Sequence, residues 1–86
     1  MSINQPDKVK IVVFMHREAR LGRTRHAIHE FGIMGVSQNT IGTRLPEMRK
    51  AGLVECQFRE GTRFKEWHLT EAGANLAAEY VLAEGI

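Results

Sequence analysis

A single cysteine, Cys56, stands in 86 residues, which rules out an intramolecular disulfide and fits a reducing compartment. No apolar run approaches the roughly 18 residues of a membrane-spanning helix. The amino terminus, MSINQPDK, lacks the basic-then-apolar order of a secretion signal. A soluble, cytoplasmic protein with no membrane partner is therefore expected. Catalytic patterns are missing as well: no glycine-rich phosphate loop, no nucleophile beside a base, no acids spaced for proton transfer. The sequence reads as a non-enzyme with no cofactor and no small-molecule substrate. Basic residues stop early. All twelve Lys and Arg lie between Lys8 and Lys65, against six acids in the first 65 positions, a balance of +6; beyond them Glu66, Glu71, Glu79 and Glu84 stand without a base, a balance of −4. A polyanion suits the first part as a partner, and protein or nothing suits the tail.

Eighty-six residues make one small domain, 1–86. The order of its patterns is α+β. Residues 1–5 are expected to be flexible. Pro6 suits a first helical turn, where its missing N–H is no loss, and Asp7 complements the helix dipole. The run VKIVVFMH is β-branched enough for a strand, but its length together with REAR, and the stripe Ile11, Val12, Met15, Ala19, predict a helix over Pro6–Arg20. Leu21 and Gly22 interrupt it. A second helix is expected from Arg23 or Thr24 to about Phe31, with Thr24 as cap and Ala27, Ile28 and Phe31 facing inward. Gly32 would end that helix in a left-handed conformation, Ile33 and Val36 would plug the core, and Ser37 would cap the next helix.

The helix from Ser37 carries Ile41, Leu45 and Met48 at spacings of four and three, one narrow apolar stripe. Asn39, Thr43 and Lys50 fall roughly opposite, with Gly42 and Pro46 beside them. Pro46 opposes an unbroken helix, because a proline in a helix interior costs on the order of 3 kcal/mol. The stripe stays in phase across it, so one kinked helix is expected. After Gly52 the period changes to two. VECQF and RFKEWHL alternate around REGT, which predicts a hairpin with a basic tip and with Trp67 and Leu69 turned to the core. Thr70 then caps a last amphipathic helix carrying Leu76, Tyr80 and Val81, to about residue 84.

At SQNTIGTRLPEMRKAGLVE and, after the hairpin, WHLTEAG, the sequence resembles the winged helix-turn-helix DNA-binding domains of MarR-type and PadR-type regulators and of small phage-borne proteins. The likeness spans roughly Arg23 to Leu76. It departs at Pro46, where a polar residue is usual, and in lacking the long helices by which MarR-type proteins dimerise. The resemblance implies a three-helix core, a helix-turn-helix over 23–51, a wing over 53–70 and a C-terminal helix over 70–84. It implies that the helix from Ser37 reads the major groove of double-stranded DNA. Gln38 and Asn39 would meet adenine edges, Thr43 a thymine methyl, and Thr40 and Arg44 phosphates. Arg59, Arg63 and Lys65 on the wing would reach a minor groove or backbone, and Arg23 and Arg25 would anchor on phosphate. The implied activity is a small, sequence-specific transcriptional regulator, of phage or mobile-element type.

The modest total charge favours two copies, and Leu76, Tyr80, Val81 and Leu82 form a candidate homodimer contact. The alternative to DNA binding is a protein-interaction or accessory replication and recombination module on the same fold. The polar helix face and basic hairpin weigh against it. His26 and His29, three apart, have helical metal-ligand spacing, but no ligand set is completed nearby, so no metal is expected. His26 would instead help to neutralise phosphate, His29 would pack or cap, His68 would sit on the surface, and Met15, Met34 and Met48 would fill the core.

Overall fold

The computed structural model describes residues 6–83, so the flexible segment expected at 1–5 and the end of the last helix near residue 84 lie outside the described residues. Three helices and a two-stranded antiparallel hairpin follow one another: α1 over Pro6–Arg20, α2 over Gln38–Lys50, β1 over Val54–Phe58, β2 over Lys65–Leu69 and α3 over Glu71–Ala83. No described helix is long and apolar enough to cross a membrane.

In α1 tertiary burial overrides strand propensity. Ile11, Val12, Val13 and Met15 are all buried, and α1 packs against α3, α2 and β2. Asp7 in its first turn and Arg17 and Arg20 in its last complement the dipole. The helix ends in a Schellman arrangement: the Gly22 N–H donates to the Ala19 carbonyl at 3.0 Å and the Arg23 N–H to the Glu18 carbonyl at 2.9 Å.

The segment 23–31 departs from expectation. It is extended rather than helical, and only Ile28–Glu30 makes a single 3₁₀ turn. His26 takes the free edge of β2: its N–H donates to the Trp67 carbonyl at 2.9 Å, and the Trp67 N–H donates back at 2.7 Å. A helix of so few residues gains little against the cost of nucleation, whereas this exchange satisfies two buried backbone pairs at once. Ala27 and Phe31 are buried and Ile28 packs half-buried on the core, so the inward residues match expectation without the helix. Glu30 closes the turn by accepting from the Ala27 N–H at 2.7 Å. Gly32 is not left-handed. The positive φ falls three residues later, at Gly35 (+81°), in a turn closed by the Val36 N–H on the Ile33 carbonyl at 3.2 Å; the third position of such a turn needs it. Met34 there is 94% exposed, not core.

Ser37 caps α2 by accepting from the Thr40 N–H at 3.2 Å. Ile41, Leu45 and Met48 are fully buried, and the helix runs through Pro46 to Lys50. It stops as α1 does, with the Gly52 N–H on the Arg49 carbonyl and the Leu53 N–H on the Met48 carbonyl, both at 3.0 Å.

The hairpin register pairs Val54 with Leu69, Cys56 with Trp67 and Phe58 with Lys65. Those six side chains share one face of the ribbon. Val54 and Trp67 are buried on it and Leu69 half-buried, as the alternation predicted. Thr70 joins the hairpin to both neighbours. Its hydroxyl donates to the Gly52 carbonyl at 2.6 Å and accepts from the Gly73 N–H at 3.1 Å, so one residue caps α3 and anchors the end of α2. Gly73 lies so close to the Leu53 carbonyl that an added methyl would collide with it. Leu76, Ala77 and Val81 of α3 bury against the shared core.

Candidate nucleic-acid interface

The outer side of α2 follows from its inner side. With Ile41, Leu45 and Met48 turned inward, Asn39, Thr43, Pro46 and Lys50 repeat at four, three and four residues along the opposite side, and all are exposed. Gln38 is exposed at the start of the helix. Thr43 donates its hydroxyl to the Asn39 carbonyl at 3.0 Å, so its proton is used within the helix. Thr40 is half-buried, and its hydroxyl lies 3.0 Å from that of Ser37 in the cap.

A groove of about 490 Å³ runs beside this stripe, between Pro46, Arg49 and Lys50 of α2 and Cys56, Lys65 and Trp67 of the hairpin. Lys50 and Lys65 therefore face one space from different elements. Lys50 sits opposite the apolar stripe in sequence, a signal that could have added it to the candidate residues. Arg63 lies exposed at the hairpin turn. Among the described residues, Lys50, Arg63 and Lys65 have no ion-pair partner, and they are the cations here open to an external anion.

Arg23, Arg44, Arg49 and Arg59 are engaged by carboxylates. Arg59 does not project from the tip: its guanidinium holds Glu66 at 2.7 and 3.0 Å and reaches Glu30 at 3.5 Å, bracing the hairpin against the 3₁₀ turn. The Ala27 N–H holds the Glu30 carboxylate below its ordinary pKa against the opposing effect of burial, and Arg59 adds to the lowering. Arg44 is half-buried and pairs with Glu47 at 3.3 Å. Lys8 reaches the same carboxylate at 3.2 Å. Together these two cations lower the pKa of Glu47, the Lys8 hydrogen bond having the largest effect. Arg49 pairs with Glu55 at 2.8 Å, and Arg23 with Glu18 at 3.2 Å.

Arg25 occupies the opposite face of the hairpin. The Gln57 amide lies against its guanidinium, and with the amide turned so that its oxygen faces Arg25 that oxygen accepts at 2.8 to 3.1 Å. Gln57 and Glu66 pair directly across the strands, one position out of phase with Cys56 and Trp67. The structure thus puts Gln38, Asn39, Thr43 and Lys50 on the outer side of α2, brings Lys65 to the groove beside Lys50, leaves Arg63 at the hairpin turn, and sets Arg25 on the other face of the hairpin.

The histidines differ from expectation. His26 is buried, its ring 5.5 Å from those of both Phe14 and Phe31, which removes it from any phosphate. His29 is exposed and does not pack, while His68 is half-buried. Among the described residues no three His, Cys, Asp or Glu side chains converge on a metal position. On α3, Leu76 and Val81 are buried in the chain's own core, Tyr80 is half-buried against it, and Leu82 is exposed. Comparison with protein-family models, curated proteins and solved structures gave no match.

Proposed function

We propose that this chain is a winged-helix domain, reduced in its first helix-turn-helix helix, that binds double-stranded DNA as a small transcriptional regulator. One observation carries the reading: the exposed stripe of α2 ends, at Pro46 and Lys50, on a groove that the unpaired Lys65 borders from the hairpin. A helix presenting amide and hydroxyl groups beside a cationic ribbon matches the dimensions and chemistry of a major groove flanked by phosphate. The His26–Trp67 bridge places a short extended segment beside β2, which lies in turn beside β1. That order supports the winged-helix reading, with the first strand shortened to one residue.

In this reading Gln38 and Asn39 meet base edges, Thr43 offers its methyl to thymine, and Lys50, Arg63 and Lys65 hold phosphates. Arg44, Arg49 and Arg59 orient the surface through their carboxylates and reach phosphate only by leaving them. Three open cations predict that log affinity falls with log salt at a slope of about 3 for one copy. Binding so weakly charged favours two copies on a twofold site.

Fluorescence anisotropy with a labelled duplex at two salt concentrations tests the proposal. Salt-sensitive binding that weakens on Lys50→Ala or Arg63→Ala for every sequence alike is expected, with Asn39→Ala relaxing preference at one base position. Absence of binding, or binding indifferent to salt, overturns it.

A further inference from the structure

The tip of the hairpin carries two large apolar side chains that the fold does not use. Phe58 is 61% exposed and Phe64 60%. Phe58 stands opposite Lys65 across the strands. Phe64 follows Arg63 in the chain and closes the turn through its carbonyl, which accepts from the Arg59 N–H at 2.8 Å. Register alternation puts the two rings on opposite faces of the ribbon. Phe58 has the open Lys65 across from it on the same face, and Phe64 follows the open Arg63 in the chain.

Neither ring is needed to shape the turn. Thr62 does that: its N–H and its hydroxyl both donate to the Arg59 carbonyl, at 3.0 and 2.9 Å, and its hydroxyl accepts from the Phe64 N–H at 3.2 Å. Arg59, held by Glu66 and Glu30, ties the base of the turn to the body of the protein. The result is a braced ribbon ending in two free aromatic rings, with Glu60 as the only acid in the loop. One exposed apolar residue needs no explanation, but two at one stiff tip beside unpaired cations do.

We infer that the tip is an aromatic wedge that inserts one phenyl ring, Phe58 on one face or Phe64 on the other, between stacked base pairs of the bound duplex. The inference rests on the DNA-binding reading above and specifies what the hairpin does there. An apolar side chain pushed into a base step from the minor groove unstacks it and kinks the duplex towards the major groove, where α2 would lie. Stacking a base face on a phenyl ring is favourable for any base, so the contact tolerates sequence. Arg63 and Lys65 would hold the phosphates beside the opened step. An apolar protein partner is the less suited occupant, because it would bury those two cations without partners.

A step that is already weakened costs less to open. The wild-type protein should bind a 20-base-pair duplex with one central mismatch about tenfold tighter than its matched counterpart, and should raise the fluorescence of a 2-aminopurine placed beside that position. Phe58→Ser with Phe64→Ser should bring the two affinities to within about twofold of each other and abolish the 2-aminopurine response. Their salt dependence should stay that of the wild type, since no charge changes. Phe58→Leu with Phe64→Leu should keep much of the preference, because leucine also serves as a wedge. If the serine variant fails to melt cooperatively, the leucine pair and the wild type carry the test.

Wild-type binding to both duplexes with equal affinity and no 2-aminopurine change would overturn the wedge and leave the DNA reading standing. Loss of affinity for both duplexes in the same proportion in the serine variant would also overturn it. Absence of binding to either duplex would remove both proposals.

Discussion

Segments 23–31 and 38–50 carry similar helix signals in sequence, a hydroxyl cap followed by apolar residues at three and four, yet only the second forms a helix. Burial does not separate them, since Phe31, at 5% exposure, is a core residue like those of the α2 stripe. Backbone partners do. Segment 38–50 has its own i to i−4 bonds and a cap on Ser37, and it packs against β1 without pairing its backbone to a strand. Segment 23–31 lies beside the open edge of β2, and His26 exchanges both backbone bonds with Trp67. A local helix preference of a few tenths of a kcal/mol per residue is easily outweighed by an available edge. The first helix of the expected helix-turn-helix is thereby lost, while the exposed face of α2 is kept.

Substitutions can sharpen or break this contrast. The largest effects should be equal on both sides: Phe31→Ala is expected to cost about 3–5 kcal/mol and Leu45→Ala about 2–5 kcal/mol in urea unfolding. A marked deficit at Phe31 would mean that segment 23–31 is loosely attached. Proline should then separate the two. Thr43→Pro removes a hydrogen bond within α2 and should cost about 3 kcal/mol or more. Thr24→Pro enters an extended stretch and should cost less than about 1 kcal/mol. Equal losses would indicate a helix at 23–31. At the caps, Ser37→Ala should cost about 1 kcal/mol, whereas Thr24→Ala should stay within about 0.5 kcal/mol because no helix begins there.

The smallest effect is in pH. The carboxylate of Glu30 has its pKa lowered in the folded protein by the Ala27 N–H, with help from Arg59. A lowered folded pKa gives stability that is complete above the unfolded value, 4.5, and is lost as pH falls through the folded one. Thermal melts from pH 6 to pH 3 should therefore show a slightly steeper loss for wild type than for Glu30→Gln. Identical curves would show that the brace of the 3₁₀ turn contributes nothing.

Much of the architecture was legible because it depends on neighbours in the chain. The Pro6–Arg20 helix, the Ser37 cap, the Ile41–Leu45–Met48 stripe and the hairpin alternation each follow from residues a few positions apart. So does the side of α2 that faces out, since it is the complement of the side that faces in. The candidate site was legible in its helical half and less so in its cations. Arg59 and Lys65 look alike in sequence, but one grips Glu66 and Glu30 and the other stands open. That difference depends on Glu66 across the hairpin and on Glu30, far off in the chain.

Local spacing therefore establishes the three main helices, the hairpin with its alternation, and a polar face on α2. Contacts between distant residues settle the rest: that 23–27 runs extended beside Trp67, that His26 is buried between Phe14 and Phe31, that Arg25 lies behind the hairpin, and that Lys50 and Lys65 share a groove. The physical reason is that short-range periodicity fixes which side of an element is apolar, whereas the pairing of backbone edges and charges depends on which elements meet, and that is known only once they pack.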